Sequence, residues 1–270
     1  MESTPSSRQK MAGSARGFYF HFGKRILDVL LAATAFLVGA PVLLVCAIAI
    51  SLDSRGSIFY SQWRVGRNAV PFRIVKLRTM VKGADEQGPR LTASGDPRIT
   101  RVGRILRCAK LDELPQLLNV LRGEMSVVGP RPELPEYVSK YTLSERMIFD
   151  VKPGITGPAS VTYINEESVL AERSNREEFY VNHLMREKLG VDLAYCRTLS
   201  FSSDLRIILQ TATSLFNAFR RKQSRVSQGR LRETHGIEAS GHVTNNSECG
   251  LSFIEEASEK GRRPELGIKA

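Results

Sequence analysis

The chain has 270 residues, 42% of them apolar, which is enough for a sizeable core in one large domain or two small ones. Its formal net charge of +11 asks for an anionic partner, and nucleic acid is the weakest candidate because no stacking aromatics interleave with the arginines. Cys46, Cys108, Cys196 and Cys249 lie far apart, with no CxxC pair, no zinc-ligand spacing and no disulfide framework, a pattern that fits free thiols in a reducing compartment.

In chain order, Met1 to Gly17 is rich in Ser, Arg and Gly and offers too little apolar surface to order itself, so residues 1–23 are expected to form a disordered tail. Residues 24–53 are expected to be a membrane segment. Ile26 to Leu52 is largely apolar with Asp28 its one charge, and about 20 such residues suffice to cross a bilayer. Pro41 lies near the middle, where it removes a backbone donor and crowds the preceding turn, so a kink or break is expected there. Two halves of roughly 12 to 15 residues would each measure roughly 18 to 22 Å, short of a hydrocarbon core about 30 Å thick. Basic residues flank both ends: Arg16, Lys24 and Arg25 before the run, and Arg55, Arg64, Arg67, Arg73, Lys76 and Arg78 after it. Such charges favour the inner side of a membrane, so a re-entrant helix that enters and leaves the same face accounts for both flanks. A Pro-kinked spanning helix is the competing reading. The run is too long for the h-region of a cleavable signal peptide, about 7 to 15 residues.

Residues 54–222 are expected to form the main folded domain. Ile58 to Val75 mixes β-branched and aromatic residues around Gly66-Arg67-Asn68, which predicts short strands or a hairpin. Gly83 to Pro97 reads as loop. The apolar spacing from Ile99 to Leu121 predicts two helices separated near Lys110, with a stop at Arg122-Gly123. Glu133 to Asp150 and Asn175 to Leu189 are expected to be helical, with the Gly- and Pro-rich PGITGPASV between them a loop. From Ile207 to Arg221, the spacing of Ile207, Ile208, Thr211, Leu215 and Phe219 ahead of Arg220, Arg221 and Lys222 predicts an amphipathic helix, lying on a membrane surface or packing on the core with a solvated basic end. Residues 223–270 are polar and Gly-rich and are expected to be disordered.

The densest polar constellation runs from Arg101 to Pro132. Arg98, Arg101, Arg104 and Arg107 fall three apart; converging guanidiniums bind phosphate, although this spacing drifts around a helix and equally describes a solvated basic face. Asp112 and Glu113 follow. Adjacent carboxylates can pair a nucleophile with an acid-base or metal-positioning group, while the plainer alternative makes Asp112 the N-cap of the helix it precedes. A phosphate approached by a carboxylate must first have its charge neutralised, and neighbouring arginines or a divalent cation would do this. Lys76 and Arg78 in KLRTM, and Arg131 between Pro130 and Pro132 in GPRP, are further basic candidates.

KRILD ahead of the apolar run, then KLRTM, DPRITRVGRILR, KLDELPQLLNVLRGEMSVVGPRPE and PGITGPASV in that order, resemble the bacterial sugar transferases, the monotopic polyprenyl-phosphate phosphoglycosyl transferases, from about Lys24 to Thr213. The resemblance implies an α+β, mostly helical chain with an N-terminal re-entrant membrane helix, a small catalytic domain on the cytoplasmic face of the bacterial inner membrane, and amphipathic surface helices. It implies that Asp112 attacks the sugar-linked phosphate of a UDP-sugar and releases UMP, after which polyprenyl (undecaprenyl) phosphate collects the sugar phosphate and exopolysaccharide synthesis begins. Glu113 would assist proton handling or positioning, Mg2+ would be held near Asp112, Lys76 and Arg107 would contact phosphate, and Pro130, Arg131 and Pro132 would line the uridine site, with Arg78 a further substrate-binding candidate. Membrane lipids and a second copy of the chain are the other partners it brings to mind. The chain departs from the family pattern at GPAS after the PGIT turn, at Ala40-Pro41 where some relatives have Ser-Pro, and over Gly190 to Ser203, which is expected to interrupt the approach to the last helix.

Overall fold

The computed structural model describes residues 19–214 and 216. Tyr19–Gly23 form a π-helical turn that leads directly into helix α1, Lys24–Asp53. Helical structure continues on both sides of Pro41 as one run of 30 residues with the proline inside it, so no non-helical break separates the two halves. Proline removes only its own N–H from the ladder, and the Leu, Ala, Val and Ile around it carry the helix through. One face of α1 is buried at Lys24, Asp28, Ala32, Cys46 and Ile50, while Leu37 and Leu52 on another are 77% and 83% exposed.

Strands β1, Phe59–Val65, and β2, Pro71–Leu77, form the expected antiparallel hairpin, with Trp63 opposite Arg73. Helix α2, Arg101–Cys108, is capped by the Thr100 hydroxyl, which accepts from Gly103 N–H at 2.9 Å. Helix α3, Gln116–Arg122, stops where expected. Its Asn119 is fully buried and replaces a third strand at the edge of β2: the side-chain oxygen accepts from Val75 N–H at 3.1 Å and the amide donates to Arg73 C=O at 2.8 Å. The core formed here joins Ala32 of α1, Phe72 and Ile74 of β2, and Leu117, Val120 and Met125.

Strand β3, Ser126–Val128, pairs in parallel with β4, Gly154–Thr156. The PGITG turn therefore belongs to a sheet, because Gly154 lets two backbones close: a Cβ there would lie 2.1 Å from Gly129 N. The helix expected over 133–150 resolves into α4, Pro135–Val138, and a 3-10 segment, Glu145–Asp150. The second half of PGITGPASV opens α5, Pro158–Thr162, and the sequence reading passes over α6, Glu166–Ala171. Helix α7, Arg176–Phe179, continues through a π turn into α8, Met185–Thr198, which runs across Gly190, so that the interruption expected over 190–203 is confined to Leu199–Ser200. Tyr137, Tyr141, Leu170, Tyr180, Met185 and Leu189 make the core of this half.

A last helix, α9, spans 201–214; the end of the predicted amphipathic helix, residues 1–18 of the predicted N-terminal tail and the whole predicted C-terminal tail lie outside the described residues, while 19–23 of the N-terminal tail form the π-helical turn and not a disordered segment. Ile207 of α9 packs on Val128, Tyr195 and Leu199, whereas Phe201, Leu205 and Leu209 face outward, so this helix has both a core face and an exposed apolar face. Cys46, Cys108 and Cys196 are unpaired thiols.

The placement of α1 is set by bonds at both of its ends. At the start, Lys24 pairs with buried Asp204 of α9, Arg25 donates to the Val120 and Leu121 carbonyls of α3, and Asp28 accepts from the Ser126 hydroxyl and Val127 N–H. At the finish, Asp53 accepts from Val102 N–H of α2, and the Arg78 guanidinium donates to the carbonyls of Ser54 and Arg55. Cys46 and Ile50 pack on Leu77 and Leu106 between these points.

Candidate active site

β2 ends by turning Lys76 inward, and α2 ends by delivering Arg107. The chain then reverses at Lys110, which holds φ 56°, a left-handed conformation that costs a non-glycine residue about 1 to 2 kcal/mol. This reversal presents the 3-10 turn Leu111–Glu113 with both carboxylates buried at its centre. Asp112 does not cap the next helix: α3 has Pro115 at its N-cap position and no side-chain cap bond.

The two carboxylates are treated in opposite ways. Glu113 Oε1 accepts from Lys76 Nζ at 2.9 Å and from Arg131 Nη2 at 3.4 Å. Burial alone would raise its pKa, but Lys76, Arg131 and Lys110 outweigh it and hold the carboxyl well below the usual range. Asp112 has a fully buried Oδ1 without a hydrogen-bond partner among the described residues. Burial, reinforced by the Glu113 charge, pushes its pKa up against the pull of Lys76, Lys110 and Arg107. Burial likewise lowers the Lys76 pKa, opposed by Glu113.

Arg107 is positioned from two sides, its Nε donating to the Thr79 hydroxyl at 3.0 Å and its Nη1 to Glu167 Oε1 at 3.1 Å. Arg131 is positioned through its backbone. Its N–H donates to Asp192 Oδ2 at 3.3 Å, and the other oxygen of Asp192 accepts from Ala159 N–H at 3.1 Å, so one carboxylate of α8 ties the GPRP and GPAS segments together. Pro130 and Pro132 are held by their carbonyls, which accept from Gly154 N–H and Arg64 Nη1, and they border a recess with Tyr141 and Phe149.

The structure thus gathers Lys76, Arg107, Asp112, Glu113 and Arg131. It does not bring Arg78 to them: that guanidinium is spent on the carbonyls at the end of α1, where it neutralises the negative end of the helix. Of the remaining arginines, Arg98 is committed to Asp96 and to the carbonyls of Ala84 and Pro89, while Arg101 and Arg104 lie exposed on α2. Thr79, Glu167 and Asp192 escaped the sequence reading. Thr79 stood inside KLRTM and could have been found there; the other two are distant in sequence and carry no motif.

No cluster of three or more metal-type side chains occurs among the described residues. The unpartnered, buried Oδ1 of Asp112 is nonetheless a hard oxygen donor, and Mg2+ is commonly bound through one or two carboxylates together with substrate phosphates, so this site fits a substrate-bridged ion.

The family described as bacterial sugar transferase matches residues 19–218. A protein of Caulobacter vibrioides named UDP-glucose:undecaprenyl-phosphate glucose-1-phosphate transferase is 42% identical over 205 residues, covering 71% of this chain and 69% of the relative. The exopolysaccharide production protein PSS of Rhizobium leguminosarum is 35% identical over 206 residues, covering 71% and 94%. The UDP-N-acetylgalactosamine-undecaprenyl-phosphate N-acetylgalactosaminephosphotransferase of Aeromonas hydrophila is 33% identical over 203 residues, and the match spans 45% of that longer protein. On the match of 19–218, which holds α1 and every residue gathered at the site, the chain belongs to the bacterial sugar transferase family.

Proposed function

We propose that this chain moves a sugar 1-phosphate from a UDP-sugar onto undecaprenyl phosphate at the cytoplasmic face of the bacterial inner membrane, opening the synthesis of an exopolysaccharide or a related glycoconjugate. The observation that carries the reading is a buried carboxylate oxygen of Asp112 with no hydrogen-bond partner among the described residues, set among Lys76, Lys110 and Arg107. The activities for which the relatives from Caulobacter and Aeromonas are named agree with it.

In the first step a carboxylate oxygen of Asp112 forms a bond to the sugar-linked phosphorus while the bond from that phosphorus to the bridging oxygen breaks, and UMP leaves with the electron pair. In the second, an oxygen of the lipid phosphate attacks the same phosphorus and returns the Asp112 carboxylate. A raised pKa marks Asp112 as the more basic, and so more nucleophilic, of the two carboxylates. Lys76, Arg107 and Arg131 supply cationic stabilisation to the transferring phosphoryl oxygens. Glu113, held ionised, suits a fixed anion that orients Lys76 and Arg131 better than a proton donor. Mg2+, held by Asp112 and the donor phosphates, would supply further charge neutralisation when bound.

The re-entrant topology is part of the proposal. Both ends of α1 are bonded to the same domain, which supports their lying on one side of the membrane, with exposed Leu37 and Leu52 and the outer face of α9 turned to lipid.

The test is UMP release by the purified full chain given Mg2+, undecaprenyl phosphate and a panel of UDP-sugars. One donor should release UMP, and Asp112→Asn should reduce the rate at least about a thousandfold, a loss typical for a removed nucleophile. Release by the variant at near the unsubstituted rate would remove Asp112 from that role.

A further inference from the structure

Arg107, the cation proposed to receive donor phosphate, already carries an anion. Its Nη1 donates to Glu167 Oε1 at 3.1 Å, and Glu167 belongs to α6, an element outside the motifs of the site. Two features make this pair releasable on one side only. Arg107 is fixed by the second bond from Nε to the Thr79 hydroxyl, and its side chain is 23% exposed. Glu167 is anchored only through its backbone, whose C=O accepts from Ser94 N–H at 3.0 Å, and its side chain is 50% exposed. The neighbouring Glu166 has a different fate: it pairs with Lys188 at 2.8 Å, where the lysine is 9% exposed, and so helps hold α6 onto α8. A contact of the Ser94 and Ser168 hydroxyls at 3.2 Å clasps α6 to the loop before α2. The backbone of α6 is therefore fixed while the Glu167 carboxylate can swing away.

We propose that Glu167 is a displaceable carboxylate that occupies the phosphate seat of Arg107 until a nucleoside diphosphate takes its place, and so sets the affinity for the donor. This rests on the reading of Arg107 as a phosphate contact. Phosphate oxygens meet a guanidinium bidentately and with more charge than one carboxylate oxygen, so the diphosphate wins the exchange, but it must first break an ion pair. Exposed pairs of this kind oppose such an exchange by about 1.5- to 5-fold in binding. Glu167 acts here through Arg107 and touches no reacting atom.

The experiment is calorimetric titration of UDP with Mg2+ into the full chain in nanodiscs, for the unsubstituted protein, Glu167→Gln, Arg107→Gln and the double variant, with donor KM measured alongside. Glu167→Gln should bind UDP about 1.5 to 5 times more tightly and lower the donor KM by a similar factor, and the gain should vanish in the Arg107→Gln background. Glu167→Asp, one methylene shorter, should shift in the same direction. Unchanged or weaker UDP binding by Glu167→Gln, or an equal gain without Arg107, would overturn the proposal while leaving the transferase reading in place. Failure of every form to bind UDP would overturn both.

Discussion

Asp112 and Glu113 are adjacent in sequence and opposite in chemistry, and the difference comes from their partners. Glu113 meets Lys76 and Arg131, while Asp112 keeps an oxygen buried and unpartnered among the described residues, an arrangement that costs stability unless something uses it. The same logic identifies Asp192. Burial pushes its pKa up to about 6, against the backbone N–H bonds from Ala159 and Arg131 that favour its charge. A carboxyl raised in this way from 3.8 binds more protons folded than unfolded between those values, so its contribution to stability is present below about pH 4 and is lost as the pH rises to about 6. Asp192→Asn should remove that dependence. In chemical denaturation from pH 4 to 7, the stability of the unsubstituted protein minus that of the variant should fall up to about pH 6 and be level above it; a difference independent of pH would contradict the assignment. These pairings were only partly legible in the sequence. The DE pair and its nearby arginines stood out because they are local, whereas Asp192 lies 61 residues from the Arg131 amide it holds, a distance that no spacing rule crosses.

Among the elements, the hairpin and the α2–α3 break were readable because each is written in a short stretch: a turn signal between apolar runs, and a polar interruption at Lys110. The β3–β4 pair was not, since two three-residue strands far apart in the chain carry no periodicity of their own. Helix α8 continues through Gly190, which weakens a helix by about 1 kcal/mol and marks an end by sequence, because Leu189, Asp192 and Tyr195 are buried around it and tertiary packing prevails. For α1, the tethering of both ends predicts that cysteines placed at Ser14 and Ser57, in a chain with its four native cysteines replaced by alanine, are labelled by an impermeant reagent from the same side of sealed vesicles. Labelling from opposite sides would defeat the re-entrant arrangement.

At the scale of the whole molecule, α1 and the residues gathered around Asp112 form one mechanical unit. Ala32 of α1 shares a core with β2 and α3, the elements that carry Lys76 and follow Asp112, and Ile50 shares one with Leu106 of α2, one residue before Arg107. The turn that carries Asp112 is thereby held at a set position relative to the exposed apolar surface of α1, as the proposed reaction between a water-soluble donor and a lipid phosphate requires. The net charge of +11 suits both the anionic donor and the anionic surface. In the proposed reaction Asp112 becomes covalently linked to phosphorus. The direct measurement is intact and peptide mass spectrometry of the full chain quenched after mixing with the UDP-sugar that supports UMP release, in the absence of lipid acceptor. The account predicts a gain of one sugar phosphate on the peptide containing Asp112, which disappears when undecaprenyl phosphate is added. UMP release with the protein mass unchanged at every time point would contradict it.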